Sequence, residues 1–203
     1  VQSVTRFGRF GALALVLVAF VPTPAAAEWQ IKPFLGLTGG GHSTFVSTDP
    51  GGNPPSAVLG ASGGWLGEVV GFEGDIGYTP GFFHSGVFNV ISGSGVTTLT
   101  GNVVIAMPRH LTDYTLRLYF VGGAGMMRVN IEGVNLGLLA SQTMPAMDLG
   151  GGATGFLTKR IGINWDVRRF RSLGAIDERN SNSPLGPEPF SFWRASMALA
   201  IRY

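Results

Sequence analysis

From Glu28 to the last residue the chain alternates apolar and polar residues with a period of two, and it does so in eight separate tracts. That period belongs to a strand with two unlike faces, because successive side chains point to opposite sides of a sheet. The last tract is the clearest. Trp193, Ala195, Met197, Leu199, Ile201 and Tyr203 share one face, while Phe192, Arg194, Ser196, Ala198, Ala200 and Arg202 share the other. The same split runs through 161–168, 147–155, 116–126, 98–107, 72–78, 57–65 and 29–37, each tract near ten residues long. Gly and Ala blur the two faces of 57–65. Roughly a fifth of the chain is Gly or Pro, which argues against a helical bundle, since Gly costs about 1 kcal/mol relative to Ala inside a helix.

Two architectures accept this pattern. A soluble sandwich turns the apolar face inward, whereas a membrane barrel turns it out into lipid. Composition separates them. Only 13% of the residues are charged, well below the ~25–35% that a soluble surface carries. The polar faces nevertheless hold Lys32, Glu73, Asp75, Arg117, Asp148, Asp166, Arg168 and Arg194, four bases and four acids. Placed in the lumen of a small barrel, such a balanced set is expected to form an ion-pair network. An unpaired charge there would cost several kcal/mol. Trp29, Trp65, Tyr78, Trp193 and Tyr203 fall near tract ends, where interfacial girdles place amphipathic rings. The fold class expected is all-β, an eight-stranded antiparallel up-and-down transmembrane β-barrel. Eight strands leave a lumen that side chains just fill.

The connections alternate in length. Short ones are expected near 67–69, 108–114 and 158–160, and four long ones over 39–56, 79–95, 129–145 and 172–190. Long loops on one rim and tight turns on the other are the asymmetry of outer-membrane barrels, whose turns face the periplasm. Residues 1–27 read as a signal peptide: Arg6 and Arg9, then an apolar run over 10–21, then Pro22, Pro24 and Ala25-Ala26-Ala27. Cleavage near Ala27 leaves a barrel domain over 28–203. It also removes two bases and no acid, so twelve basic residues balance twelve acidic ones. The basic isoelectric point therefore carries no argument for nucleic acid.

Three segments carry a resemblance to a known group: GFEGDIGYTPGFF (71–83), LRLYFVGGAGMMR (116–128) and the terminal SFWRASMALAIRY (191–203). They resemble the small OmpA/OmpX-like outer-membrane β-barrel domains of Gram-negative bacteria, across the whole chain after residue 27. The resemblance implies residence in the outer membrane, with lipid and lipopolysaccharide as surroundings. It also implies an assembly signal read by the barrel-assembly machinery, for which Leu199, Ile201 and Tyr203 fit, although Phe is the commoner last residue. The group includes structural proteins, adhesins and a few lipid-modifying enzymes, so it does not fix a role.

No motif in the chain carries chemistry. Gly60-Ala61-Ser62-Gly63-Gly64 matches G-x-S-x-G but lacks the strand–turn–helix context of a hydrolase elbow. The run 150–155 matches G-x-G-x-x-G but leads into another strand rather than a helix. His42, His84 and His110 fall in connections without the spacing of a catalytic pair or a metal site. Glu73 and Asp75 share a face, where lumen cations make ion pairing the better reading than acid–base work. Phe82, Phe83 and Phe88, with Leu136, Leu138 and Leu139, read as strands that extend past the membrane and pack on one another; the alternative is a partner surface. The expectation is a non-enzymatic barrel with no cofactor and no metal, serving envelope integrity or surface interaction through four long extracellular loops. The rivals are a lipid-A-modifying barrel enzyme, which needs a polar cluster facing out at the outer rim where the sequence shows none, and a narrow channel gated by the lumen ion pairs.

Overall fold

The structure, a computed structural model, describes residues 28–42, 55–82, 91–108, 111, 116–133, 139–173 and 190–203. Eight strands form: β1 (Glu28–His42), β2 (Ser56–Leu66), β3 (Val70–Pro80), β4 (Ile91–Ala106), β5 (Leu116–Gly133), β6 (Leu139–Phe156), β7 (Ile161–Ser172) and β8 (Ser191–Arg202). Each pairs antiparallel with the next, and β8 returns to β1, so the sheet closes with no free side. Closure satisfies every interior ladder, which is the condition for a sheet to cross a bilayer.

The period-two pattern sets the faces as the charges require. On β3, residues 71, 73, 75, 77 and 79 are buried while those between them are exposed. Phe120 is 75% exposed, Leu35 71% and Leu149 66%, whereas Arg168 and Arg194 are 2% and 1% exposed. A soluble sandwich would show the reverse. Small residues make this inversion possible. A Cβ on Gly77 would lie 2.9 Å from Nη1 of Arg194, and one on Gly152 would lie 2.6 Å from Oη of Tyr119. The inward glycines are the space into which the long polar side chains fold.

Strand lengths depart from the sequence-based expectation. They run from 11 to 18 residues rather than near ten. The third long connection, expected over 129–145, is mostly strand: β5 continues to Gly133 and β6 begins at Leu139, paired through Glu132 and Leu139. Four long loops are thus an overcount at this position. The reason is visible on the outward face. On β5 it reads Leu116, Leu118, Phe120, Ala124 and Met126, then Arg128 and Asn130. The strand continues where the lipid ends, and its outer residues become polar. On β7 the same change falls between Val167 and Arg169. Transmembrane strands need about 9–11 residues, so the β5–β6 hairpin stands well clear of the membrane on the external side.

Candidate functional site

The chemistry-bearing residues converge inside the barrel. Arg168 on β7 is the hub. Its Nη2 donates to Oε1 of Glu73 at 2.6 Å, and its Nε donates to Oδ1 of Asp166 at 2.7 Å. Asp148 lies 3.5 Å from its Nη1 and Asp75 lies 3.9 Å away. Glu73 also pairs with Lys32 from β1. The Asn102 amide, oriented by its neighbours, donates to Oδ1 of Asp148 at 2.8 Å and accepts from Nη1 of Arg168 at 2.8 Å.

Register creates a problem that the lumen solves. Arg168 and Arg194 are direct cross-strand partners on β7 and β8, and like charges so placed repel. The neutralising carboxylate comes from the opposite wall. Asp75 on β3 accepts two hydrogen bonds from Arg194, each 2.8 Å, and its Oδ2 also faces Arg168. The Arg194 guanidinium lies 4.5 Å from the ring centre of Phe34 and 4.8 Å from that of Phe170. Cation–π contacts with two rings and paired hydrogen bonds to one carboxylate are a combination that the flat, forked guanidinium provides.

Tyr119 joins the hub from β5. Its hydroxyl donates to Oδ2 of Asp166 at 2.7 Å and accepts from Nδ2 of Asn164 at 2.9 Å. Asn164 also donates to Oγ1 of Thr154. Arg117 is placed lower, at the short-turn end, where its Nη2 donates to the carbonyls of Gly67 and Glu68 and pins the β2–β3 turn. So Lys32, Glu73, Asp75, Asp148, Asp166, Arg168 and Arg194 come together, while Arg117 holds a rim. A cavity of about 20 Å³ bounded by Gln30, Lys32, Glu73, Arg117, Tyr119 and Thr154 has room for a single water.

Sequence reasoning missed what lies on either side of the hub. Toward the external end, Phe82, Val96, Met127, Val129, Met144, Ala146, Phe170, Phe190 and Phe192 form one buried apolar cluster. Phe170 and Phe192 stack at 5.2 Å, and Phe82 meets Phe190 and Phe192 edge-on at 5.4 and 5.2 Å. Toward the periplasmic end, Val104, Ala106, Tyr119 and Val121 make a second cluster with Leu66. The parity of Phe170 and Phe192 placed them inward, but nothing in the sequence said that separate strands bring aromatics to one level. Phe82 joins this plug by packing inward. Phe83, Phe88, Leu136 and Leu138 lie outside the described residues, as does the side chain of Leu139.

His84, His110 and the side chain of His42 lie outside the described residues, as do 1–27. Among the described residues no group of His, Cys, Asp or Glu is arranged to hold a metal. One expectation is corrected: a polar cluster does face outward at the outer rim, where Nε of Arg128 donates to Asn130 and Ser141. Its described members are a guanidinium, an amide and a hydroxyl. At the C-terminus Leu199 and Tyr203 are exposed on the lipid-facing side and Ile201 is half-buried.

A closed eight-stranded barrel, apolar outside and ionic within, is a transmembrane β-barrel of the outer-membrane type. Solved structures agree on the fold. The chain is similar to Neisserial surface protein A at 10% identity and a TM-score of 0.65, covering 88% of this chain and 100% of that one. It is similar to a major outer membrane protein of Thermus thermophilus at 12% identity and 0.59, covering 88% and 100%. It is also similar to Ail, the attachment invasion locus protein of Yersinia pestis, solved in complex with the heparin analogue sucrose octasulfate. There the values are 13% identity and 0.53, with 87% and 100% covered. No protein-family model matches the sequence, and no curated protein does.

Proposed function

We propose that this chain is a non-enzymatic, non-conducting barrel that contributes to the integrity of the outer membrane, after removal of residues 1–27 near Ala27. The observation that supports this reading is the filling of the lumen in three successive layers: a small apolar layer at the periplasmic end, the ionic hub, and the aromatic plug. A passage for solutes needs a continuous wet path. A catalyst needs a cleft, and the hub's acids and bases are all committed to one another. What is left on the outside is a belt for lipid. In this reading the barrel's partners are outer-membrane lipid and lipopolysaccharide, together with the assembly machinery, which reads Leu199, Ile201 and Tyr203.

The test combines reconstitution with genetics. The purified barrel in planar bilayers gives no conductance above that of lipid alone, and a deletion strain admits detergents and bulky antibiotics more readily until the gene is restored. Steady single-channel currents that change with Glu73→Gln or Arg168→Gln would establish the channel instead. Fatty acid released from lipopolysaccharide by the purified protein would establish the enzyme.

A further inference from the structure

Cations on the outer wall of the barrel are not spread evenly. On β7, Arg169 and Arg171 are exposed at outward positions directly above Trp165 and Val167. Two residues apart on one strand face, they stand about 7 Å from each other. Arg169 lies between Leu149 of β6 and Trp193 of β8, with its guanidinium 5.8 Å from the Trp193 ring centre. Arg128 on β5 is likewise the first cation beyond the apolar outward positions of its strand, above Met126 and opposite Thr143 of β6, further toward the external end than Leu149, the β6 partner of Arg169. On the far side of the barrel the corresponding outward positions are Gly39 on β1, Pro55 before β2, Pro80 on β3 and Thr97 on β4. Among residues whose side chains are described, no acid faces outward on β5 to β8 above the apolar band.

Charges that merely mark the edge of a membrane would ring the barrel. These occupy one side, on the lipid-facing register, with Arg169 beside an interfacial tryptophan. The geometry points to a strip formed by Arg128, Arg169 and Arg171 that binds the phosphates of a lipid headgroup in the outer leaflet, with the apolar wall below taking its acyl chains. A guanidinium offers paired donors matched to phosphate oxygens. Trp193 holds the Arg169 head at the interface against burial. Thr143 and Ser141 add hydroxyls beside Arg128 for the sugar or phosphate oxygens of the same headgroup.

The inference rests on the outer-membrane placement above, but not on the structural role. A barrel that conducted ions and still bound phosphorylated lipid would overturn that role and leave the strip standing. The experiment titrates the folded barrel in neutral detergent, following tryptophan emission. Four probes are used: a diphosphorylated lipid A, the same lipid stripped of phosphate, inorganic phosphate and sucrose octasulfate. Binding is expected for the phosphorylated lipid, with the stripped lipid at least tenfold weaker. The double variant Arg169→Gln/Arg171→Gln is expected to lose about thirtyfold, on the scale of ~1 kcal/mol per basic group at an anionic surface. These side chains face away from the barrel's packing, so the variant should keep its gel shift on heating. If it does not fold, Arg128→Gln and the salt dependence of wild-type binding carry the test. Lys159→Gln/Arg160→Gln, at the opposite rim, should bind as wild type. Equal binding of the stripped lipid, an unaffected double variant, or equal loss in the opposite-rim control would each overturn the proposal. So would sucrose octasulfate or inorganic phosphate binding as tightly as the lipid, because the site would then be one for soluble anions.

Discussion

Replacing Arg168 by Met removes one cation and keeps most of the volume. The structure says what that leaves behind. Glu73, Asp166 and Asp148 lie within 3.5 Å of the guanidinium, and Asp75 at 3.9 Å. Glu73 retains Lys32, and Asp75 retains Arg194. Asp166 keeps only the hydroxyl of Tyr119, and Asp148 keeps only the amide of Asn102. Among the described residues, these two buried carboxylates thus lose the one cation they touch, and only Arg194, at longer range, still acts on Asp148. Breaking one buried pair costs about 3–5 kcal/mol, and this position lies at the upper end. That is roughly a hundredfold to several thousandfold in the folding equilibrium. The comparison is Leu149→Ala on the lipid face. It gives up the transfer of a few methylene groups but leaves no cavity, because hydrocarbon closes over it, so about 1–2 kcal/mol is expected. Denaturant unfolding in detergent, followed by tryptophan emission and by migration of unboiled samples on a gel, gives both midpoints. The slope must be unchanged for the midpoints to be compared. In the Arg168→Met background, Glu73→Gln should cost less than it does in the wild type, since one of the two cations it pairs with is already gone. A variant at Arg168 that unfolds at or above the wild-type midpoint would refute the reasoning: the hub would then be tolerated rather than stabilising, as some buried ion pairs are.

Three further outcomes are expected. Phe170→Ala opens the plug between Phe192 and Arg194 and should cost about 3–5 kcal/mol in the same unfolding assay. Planar-bilayer recordings should stay silent, because the ionic layer beneath still fills the lumen. Gly77→Ala sets a methyl 2.9 Å from Arg194 Nη1 and 3.1 Å from Thr98 Oγ1; a destabilisation of about 1–3 kcal/mol is expected, and a neutral result would mean that the lumen is loosely packed. Removing Tyr203 should lower the amount of barrel recovered in the outer-membrane fraction while leaving the refolded protein as stable as wild type, which separates an assembly defect from a folding one.

How far the sequence reaches can be judged strand by strand. On β3 the order Phe72, Glu73, Gly74, Asp75, Ile76 already places both acids inside, because period two admits no other arrangement once the apolar face is known to meet lipid. The inward facing of these charges is therefore legible, but their pairing is not, nor is the place of Arg117 at a rim and of Tyr119, Asn102 and Asn164 among the hub's hydrogen bonds. Arg194 and Asp75 are 119 residues apart; only closure of β8 onto β1 brings β3 across the lumen from β7 and β8, and no local pattern encodes that distance. The length of the β5–β6 hairpin was hidden for a different reason. A tract stands out in the sequence by its greasy outer face, and on β5 that face ends at Met126. Met127 and Val129 continue to point inward, but Arg128 and Asn130 now point into water, so a search for an apolar exterior stops too soon.

The same reversal explains why the lumen is layered. Along β7 the inward residues run Asn164, Asp166, Arg168, Phe170; along β8 they run Ala198, Ser196, Arg194, Phe192. On these two strands charge sits at the depth where the outside is hydrocarbon, and aromatic bulk sits at and beyond the depth where the outside becomes polar. Inside the bilayer the wall is already held by lipid, so the interior is free to use directional contacts that fix which strand faces which. Beyond the bilayer the wall has water on its outer side, and only an apolar interior supplies a hydrophobic driving force. The plug is thus the ordinary core of a soluble β-structure mounted on a membrane barrel. Its closure also keeps external water away from the ion pairs below, which makes each of them stronger and each unpaired member costlier. A consequence follows for Phe192. Phe192→Ala should weaken the external end directly and the hub indirectly. Combined with Arg194→Met it should therefore cost less than the two changes summed, because the second removes a charge that the first has already let water reach. Strict additivity in a double-mutant cycle would show that the two layers act separately.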